Sequence, residues 1–207
     1  SQNWWSHNWV GDSVYYAKLK TPLWSLDLTQ WSWTSIEELK VVASGEAWTS
    51  PTFLVISAAQ LAGLQAGIGL SSVQVKGGGA IDMAHLKALD VGTWQIGDSA
   101  SYTITGTANS DQINVSNGVM DVYLGAGNDT LVIDSKPLVT DVLDGGAGID
   151  TLVVRGSDVD LSGATLVDIE FIQVSSQSLS MTEQQWTDLG ARVSRVQGAN
   201  TGFILSI

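Results

Sequence analysis

Between residues 106 and 154 the chain repeats a short pattern of glycine, acid and large apolar residue, and this repeat restricts the fold more than any other feature. Its fullest copy is Gly145-Gly146-Ala147-Gly148-Ile149-Asp150-Thr151-Leu152-Val153. Glycines occupy the first, second and fourth positions, an aspartate the sixth and a large apolar residue the eighth. Glycines let the backbone turn tightly and bring carbonyl oxygens to one place. The aspartate adds a hard, charged oxygen, and the apolar residue after it opens a short strand facing inward. A flexible loop that offers only oxygen ligands suits calcium far better than zinc or copper.

Two further copies turn a single match into a ladder. Leu124-Gly125-Ala126-Gly127-Asn128-Asp129-Thr130-Leu131-Val132 lacks only the first glycine. Gly106-Thr107-Ala108-Asn109-Ser110-Asp111-Gln112-Ile113-Asn114 keeps the first glycine and the aspartate, with Asn109 in place of the third glycine. Asparagine tolerates left-handed backbone angles, so Asn109 is expected to make the same turn. The aspartates are spaced 18 and 21 residues apart. Eighteen is two nonapeptides, one full turn of a coil that carries two strands. With the aspartates aligned, Ile113, Leu131 and Leu152 form one inward column, and Val115, Ile133 and Val154 a second. Half-turns are expected at Asp121-Val122, Asp141-Val142 and Asp160-Leu161, a second acid series without glycine loops and so without a full site.

Residues 106–153 resemble the calcium-binding repeats of RTX proteins, a likeness that covers about a quarter of the chain. The resemblance implies a parallel β-roll in which calcium lies between the loops of successive coils, held by aspartate side chains and backbone carbonyls. Carried over by position, Asp111, Asp129 and Asp150 would be side-chain ligands. Gly106, Asn109, Gly125, Gly127, Gly146 and Gly148 would be loop positions that lend carbonyls or permit the turn. The departures fall at Thr107, Asn109 and Leu124, and place the weight on the loop pair carrying Asp129 and Asp150. The other reading of these acids is a solvated face with turn-forming aspartates. Charge favours the metal: from Asp98 to Asp168 there are eleven Asp against Lys136 and Arg155. Stacked carboxylates repel, a bound cation removes that penalty, and binding and folding become coupled.

A second, weaker repeat flanks the first. Ser35-Ile36-Glu37-Glu38-Leu39-Lys40-Val41 resembles Asp168-Ile169-Glu170-Phe171-Ile172-Gln173-Val174, each a strand by alternation. Downstream of each, Ser57 precedes Gln60 and Thr182 precedes Gln185 by three residues, a capping box that opens a short helix. Leu61 with Leu64, and Trp186 with Leu189, give these helices one apolar face. Short strands punctuated by Gly or Ser fill the stretch between, and long helices are absent. The expected fold is all-β, a right-handed parallel β-solenoid (β-roll) with short capping helices, continuous over residues 1–207. Within it, residues 1–34 form an aromatic-rich cap or contact segment and 35–97 a calcium-free part. Residues 98–165 form the calcium roll and 166–207 a strand-helix cap. A β-sandwich over residues 1–97 is the alternative.

Seven of the nine Trp precede residue 50. Trp4, Trp5 and Trp9 lie among Asn, Ser and His without strand periodicity. They could seal the end of the solenoid, contact another subunit, or stack on a glycan. Phe203 and Leu205, in the apolar C-terminal stretch, are the matching candidates for a contact at the other end. A net charge of −12 disfavours nucleic acid and anionic membranes. No run of residues is long and apolar enough for membrane insertion. There is no cysteine. His7 and His85 stand apart from other soft ligands, no nucleophile motif is present, and the reading is not an enzyme. The start Ser1-Gln2-Asn3-Trp4-Trp5 has no signal-peptide character. RTX-like proteins typically leave by a one-step route that reads the C-terminus, with which Thr201–Ile207 is compatible. The expectation is therefore a secreted calcium-binding structural protein, extracellular or on a bacterial cell surface. It would assemble as a homo-oligomer or polymer into a layer, filament or adhesin subunit. A monomeric glycan- or peptide-binding, or export-supporting, module is the alternative.

Overall fold

A strand of four residues with one apolar face cannot bury that face alone and needs a copy above and below it. In the computed structural model of this chain the strands find those copies in parallel register. The structure describes residues 14–17, 25–30, 38–41, 53–64, 66–70, 72–86, 88–91, 93–97, 100–116, 120–134, 141–156, 158–175, 178–189, 193–195 and 204–206.

In chain order these residues begin with β1 (Val14–Ala17), β2 (Ser25–Asp27), β3 (Glu38–Val41), β4 (Phe53–Ser57) and the helix α1 (Ala58–Ala62). Next come β5 (Ala66–Leu70), β6 (Val73–Lys76), β7 (Gly79–Asp82), β8 (Ala88–Val91) and β9 (Trp94–Ile96). The glycine-repeat region holds β10 (Tyr102–Thr105), β11 (Gln112–Val115), β12 (Met120–Tyr123), β13 (Ala126–Gly127) and β14 (Thr130–Ile133). It continues with β15 (Val142–Asp144), β16 (Ala147–Gly148) and β17 (Thr151–Val154). The C-terminal part adds β18 (Asp158–Asp160), β19 (Thr165–Val167), β20 (Phe171–Val174), β21 (Ser178–Ser180), α2 (Glu183–Leu189), β22 (Val193–Arg195) and β23 (Ile204–Ser206).

One nine-stranded sheet, β2-β4-β6-β9-β11-β14-β17-β20-β22, runs through the described chain from end to end. The chain leaves it and returns to it through three other sheets. These are β1-β3-β5-β8 toward the N-terminus, β7-β10-β12-β15-β19 in the middle and β18-β21-β23 toward the C-terminus. The protein is thus a parallel β-solenoid, with two short helices among the described residues. A sandwich over residues 1–97 is ruled out, because β4, β6 and β9 pair parallel and continue directly into β11.

The registers make the inward columns real. Val73, Trp94, Ile113, Leu131, Leu152 and Ile172 stack in one line, and Val75, Ile96, Val115, Ile133, Val154 and Val174 in the next. All twelve are buried. Ile81, Ile104, Val122 and Leu143 of the middle sheet form a further buried column. The coil between β11 and β14 advances 18 residues and the next one 21, and the three extra residues fall between β14 and β15.

Both helices are built by the same device. Gln60 N–H donates to Ser57 Oγ at 3.2 Å and Ser57 N–H donates to Gln60 Oε1 at 2.8 Å. Gln185 N–H donates to Thr182 Oγ1 at 3.1 Å and Thr182 N–H to Gln185 Oε1 at 2.8 Å. The far end of each glutamine amide then reaches a neighbouring coil. Gln60 Nε2 donates to the Leu28 carbonyl at 2.7 Å, and Gln185 Nε2 to the carbonyls of Leu161 and Ala164 at 2.8 and 2.9 Å. Helix α1 packs on β7, one edge of the middle sheet, while Gln185 ties α2 to the turn leading into β19, the other edge. Covering an edge removes a template for unwanted pairing. No helix among the described residues is long and apolar enough to cross a membrane.

The second acid series is not a ladder. Asp121 stands opposite Val142 rather than Asp141, and Asp160 belongs to the C-terminal sheet. The three residues added between β14 and β15 give this coil a 21-residue step, whereas Asp121 and Asp141 are 20 apart. The two acids lock the neighbouring strand starts instead. Val142 N–H donates to Asp121 Oδ1 at 3.2 Å, and Met120 N–H to Asp141 Oδ1 at 3.1 Å.

Two substitutions separate column from clamp. Leu152→Ala, at a fully buried position, is expected to lower unfolding free energy by about 2–5 kcal/mol. Gln185→Ala, which removes half a capping box and two carbonyl contacts, should lower it by about 1–2 kcal/mol. Urea denaturation followed by circular dichroism measures both, and equal losses would contradict the ranking.

Candidate functional site

Four turns carry the chain from the middle sheet back to the long sheet, stacked at one corner of the solenoid. Three of them, residues 106–111, 124–129 and 145–150, are the glycine loops, and the fourth is the shorter 168–170. Within the loops Ala147 N–H donates to the Gly125 carbonyl at 2.8 Å, and β13 pairs with β16. The glycines are required by this close stacking. Gly148 has φ 147 and Gly146 has φ 85. A Cβ on Gly148 would collide with the Gly127 carbonyl oxygen, and one on Gly146 with that of Gly125. Gly125 and Gly127 take the same left-handed conformation one coil earlier, and a Cβ on Gly106 would collide with the Leu124 carbonyl.

Asn109 does not follow its expectation. Among the described residues the non-glycine with positive φ is Asp168, at φ 46, and Asn109 is not left-handed. Thr107 holds a different turn there. Its Oγ1 accepts from Asn109 N–H at 3.0 Å and donates to the Asn109 carbonyl at 3.3 Å.

Asp111, Asp129 and Asp150 close the three glycine loops and point inward, each nearly or completely buried. They form a continuous chain of side chain to backbone contacts. Asp111 N–H donates to Asp129 Oδ1 at 2.7 Å, and Asp129 N–H to Asp150 Oδ1 at 2.8 Å. Asp150 N–H in turn donates to Glu170 Oε2 at 2.7 Å. The register of β17 with β20 sets Glu170 beside Asp150, so the ladder has a fourth acid that the motif did not contain. Its signal was in the sequence: Ile172 and Val174 extend the two columns, and Glu170 precedes Ile172 by two residues, as Asp150 precedes Leu152. A parallel line runs outside, where Asn128 N–H donates to Ser110 Oγ at 3.1 Å and Ile149 N–H to Asn128 Oδ1 at 3.0 Å.

The second oxygens of the acids differ. Asp111 Oδ2 accepts from Thr107 N–H at 2.6 Å. Asp129 Oδ2 and Asp150 Oδ2 are buried with no hydrogen-bond partner. Burial raises the pKa of all three acids. Asp129 is pushed up to about 6, chiefly by burial and further by the charges of Asp111 and Asp150, against the opposing Asp111 N–H. Asp150 is raised by burial, with the charges of Glu170, Asp144 and Asp168 adding to it.

A buried carboxylate oxygen without a donor is costly in its ionised form. Either a proton or a cation relieves it. Among the described residues no three acidic or histidine side chains gather closely enough to hold a metal by themselves. One acid per coil, with coils stacked at strand spacing of about 4.8 Å, cannot supply such a cluster. An ion here would have to draw on a mixed set: free oxygens on Asp129 and Asp150, and the carbonyls of Thr107, Gly125 and Gly127, the first two of which each already accept one loop amide. Hard oxygens of this kind fit calcium, which takes six to eight of them in flexible geometry.

His85 lies in the turn that follows β7, with Nε2 2.7 Å from the Leu64 carbonyl. Leu205 is in β23, opposite Leu179. Trp4, Trp5, Trp9 and Phe203 lie outside the described residues. The chain matches no family model, no curated protein and no solved structure.

The raised acids set a pH dependence. A carboxyl whose pKa is higher folded than unfolded holds its proton more tightly in the fold. Its stabilisation is complete below its ordinary range and is lost as pH rises through about 6 for Asp129. With divalent cations chelated, the melting temperature is expected to fall between about pH 4 and pH 7. Asp129→Asn should raise it at neutral pH and flatten the slope. Thermal melts across this window check both, and a wild-type melting temperature that climbs with pH would contradict the assignment.

Proposed function

We propose that this chain is a calcium-ordered structural repeat protein that acts outside the cell. The observation that carries the reading is the pair of buried, partnerless oxygens, Asp129 Oδ2 and Asp150 Oδ2, in loops whose carbonyls stack beside them. Calcium would occupy the gaps between loops 106–111, 124–129 and 145–150. Asp129 and Asp150 supply side-chain oxygens there. Asp111, whose second oxygen already accepts the Thr107 amide, is the more saturated ligand. Gly106, Gly125, Gly127, Gly146 and Gly148 let the loops approach so closely that carbonyls can share an ion.

The ion replaces the proton that the buried acids otherwise demand, so that folding and binding become one event. Loose, low-affinity oxygen sites fill at the calcium concentrations found outside cells, about 10⁻⁴–10⁻³ M, and stay empty inside. The chain would thus order after export. Among the described residues, β2 and β22 are the edges of the long sheet, each paired on one side. Two unlike ends of this kind favour head-to-tail contact, which propagates as a filament or lattice at a cell surface. This role needs no catalytic group.

Sedimentation velocity with millimolar calcium and again with chelator tests the proposal. Calcium should convert an expanded chain into a compact one and promote large species. The double variant Asp129→Asn with Asp150→Asn should lose the calcium response. An unchanged wild-type profile would remove the calcium reading. A compact monomer with calcium would remove assembly and leave a monomeric binding module.

A further inference from the structure

The first coils of the solenoid and the last ones repeat a single arrangement. Asp27-Leu28-Thr29 and Asp160-Leu161-Ser162 stand 133 residues apart, and so do Leu39 with Ile172 and Val41 with Val174. The contacts repeat with the residues. β1 on β3 recurs as β17 on β20, Tyr15 opposite Leu39 matching Leu152 opposite Ile172. β2 on β4 recurs as β18 on β21, Asp27 opposite Val55 matching Asp160 opposite Ser180. Leu28 N–H donates to the Val55 carbonyl at 2.8 Å, and Leu161 N–H to the Ser180 carbonyl at 2.8 Å. Asp27 Oδ1 accepts from Thr29 N–H at 2.9 Å, as Asp160 Oδ1 does from Ser162 N–H at 2.9 Å. The capped helices α1 and α2 follow, each returning a glutamine amide to the leucine of that turn. One coil further, β5 on β3 recurs as β22 on β20, and β6 on β4 as β23 on β21. Among the described residues, β19 is the strand of the C-terminal set without a counterpart.

The two copies lie in different sheets, and this decides how the ends can meet. The N-terminal copy occupies the N-terminal sheet and the long sheet, the C-terminal copy the long sheet and the C-terminal sheet. Both ends of the solenoid therefore offer two strands in the same mutual placement. Among the described residues β1 and β2 are the first of their sheets, β22 and β23 the last, and each is paired on one side. Such an edge presents backbone donors and acceptors to a further strand. Within the chain, β5 and β6 carry the next coil through β8 and β9. Their counterparts β22 and β23 offer the same platform at the end.

We infer that a second copy of this chain docks on the C-terminal end in parallel, its β1 adding to β22 and its β2 to β23. The registers of the two copies place Tyr16 opposite Ser194 and Ser25 opposite Ile204. This pairing engages both strands in the placement each copy already has. The long sheet of one molecule then runs into the N-terminal sheet of the next rather than into its long sheet. The contact joins unlike ends, so it propagates instead of closing. It rests on the assembly reading above and names the surface that assembly uses.

The chain has no cysteine, so introduced pairs read the contact directly. Opposed Cα atoms of neighbouring parallel strands lie about 4.8 Å apart, within disulfide reach. The nine-stranded sheet separates β2 from β22 of one chain by about 38 Å, so a bond between the two ends joins two molecules. Tyr16→Cys with Ser194→Cys, oxidised at millimolar calcium, is expected to give a reducible ladder of oligomers on denaturing gels. Asp27→Cys with Ser194→Cys reports the other pairing, β2 on β22, and is expected to lose that ladder. An equal ladder from the second variant, or none from the first while the wild type still assembles in sedimentation, would overturn this docking and leave the assembly reading intact. A wild type that stays monomeric with calcium would overturn both. If circular dichroism shows the first variant unfolded, Ser25→Cys with Ile204→Cys, on the other pair of strands, is read by the same criteria.

Discussion

The fold rests on a line of carboxylates, buried at Asp129 and Asp150 and half-buried at Glu170, each accepting the backbone amide of the acid in the coil before it. Asp129 holds Asp111, Asp150 holds Asp129 and Glu170 holds Asp150. Amides at the corner of a solenoid lie between two sheets and have no strand partner, so a side chain must satisfy them. An acid does this well, but each brings a charge into the interior. The same contact that sets the register thus creates the electrostatic problem that a proton or a cation must solve. The partnerless oxygens on Asp129 and Asp150, and the upward pKa of the three aspartates, are two expressions of that conflict.

The columns and the corner are coupled by geometry. Because Leu131 must sit on Ile113 and Leu152 on Leu131, the acid two residues before each apolar residue is carried into line. The loops between have to occupy the same height as the strands, so their backbones approach closely. This is why glycine stands where a Cβ would strike a carbonyl of a neighbouring coil. Where the chain inserts three residues, it does so between β14 and β15, away from the corner, and the ladder is undisturbed. The ends of the middle sheet are handled by side chains instead. Gln60 and Gln185 each use one amide end to start a helix and the other to hold a neighbouring coil.

Much of this was legible because period and chemistry agreed. The inward columns, the three aligned aspartates and both capping boxes follow from residues read in order, and the registers place them as the spacing requires. Other features required contacts that spacing does not encode. Asn109 replaces a glycine without adopting its conformation, because Thr107 bonds to the backbone of Asn109 on both sides. Asp121 and Asp141 resemble a second ladder by eye, yet the 21-residue step of their coil slips them by one position. Glu170 escaped the motif because its turn has no glycine, and only pairing with β17 brings it to Asp150.

The sequence by itself determined the coil: strands short enough to need neighbours, apolar residues at a repeating distance, and glycine turns that permit close stacking. Those are local and periodic properties, and they suffice to select a parallel solenoid. Tertiary structure alone decided which acids are saturated and which are left open. Asp111 finds the Thr107 amide within its own loop, while Asp129 and Asp150 find nothing for their second oxygens. That difference arises from how each loop lies against the next coil, a distance in space rather than a count along the chain.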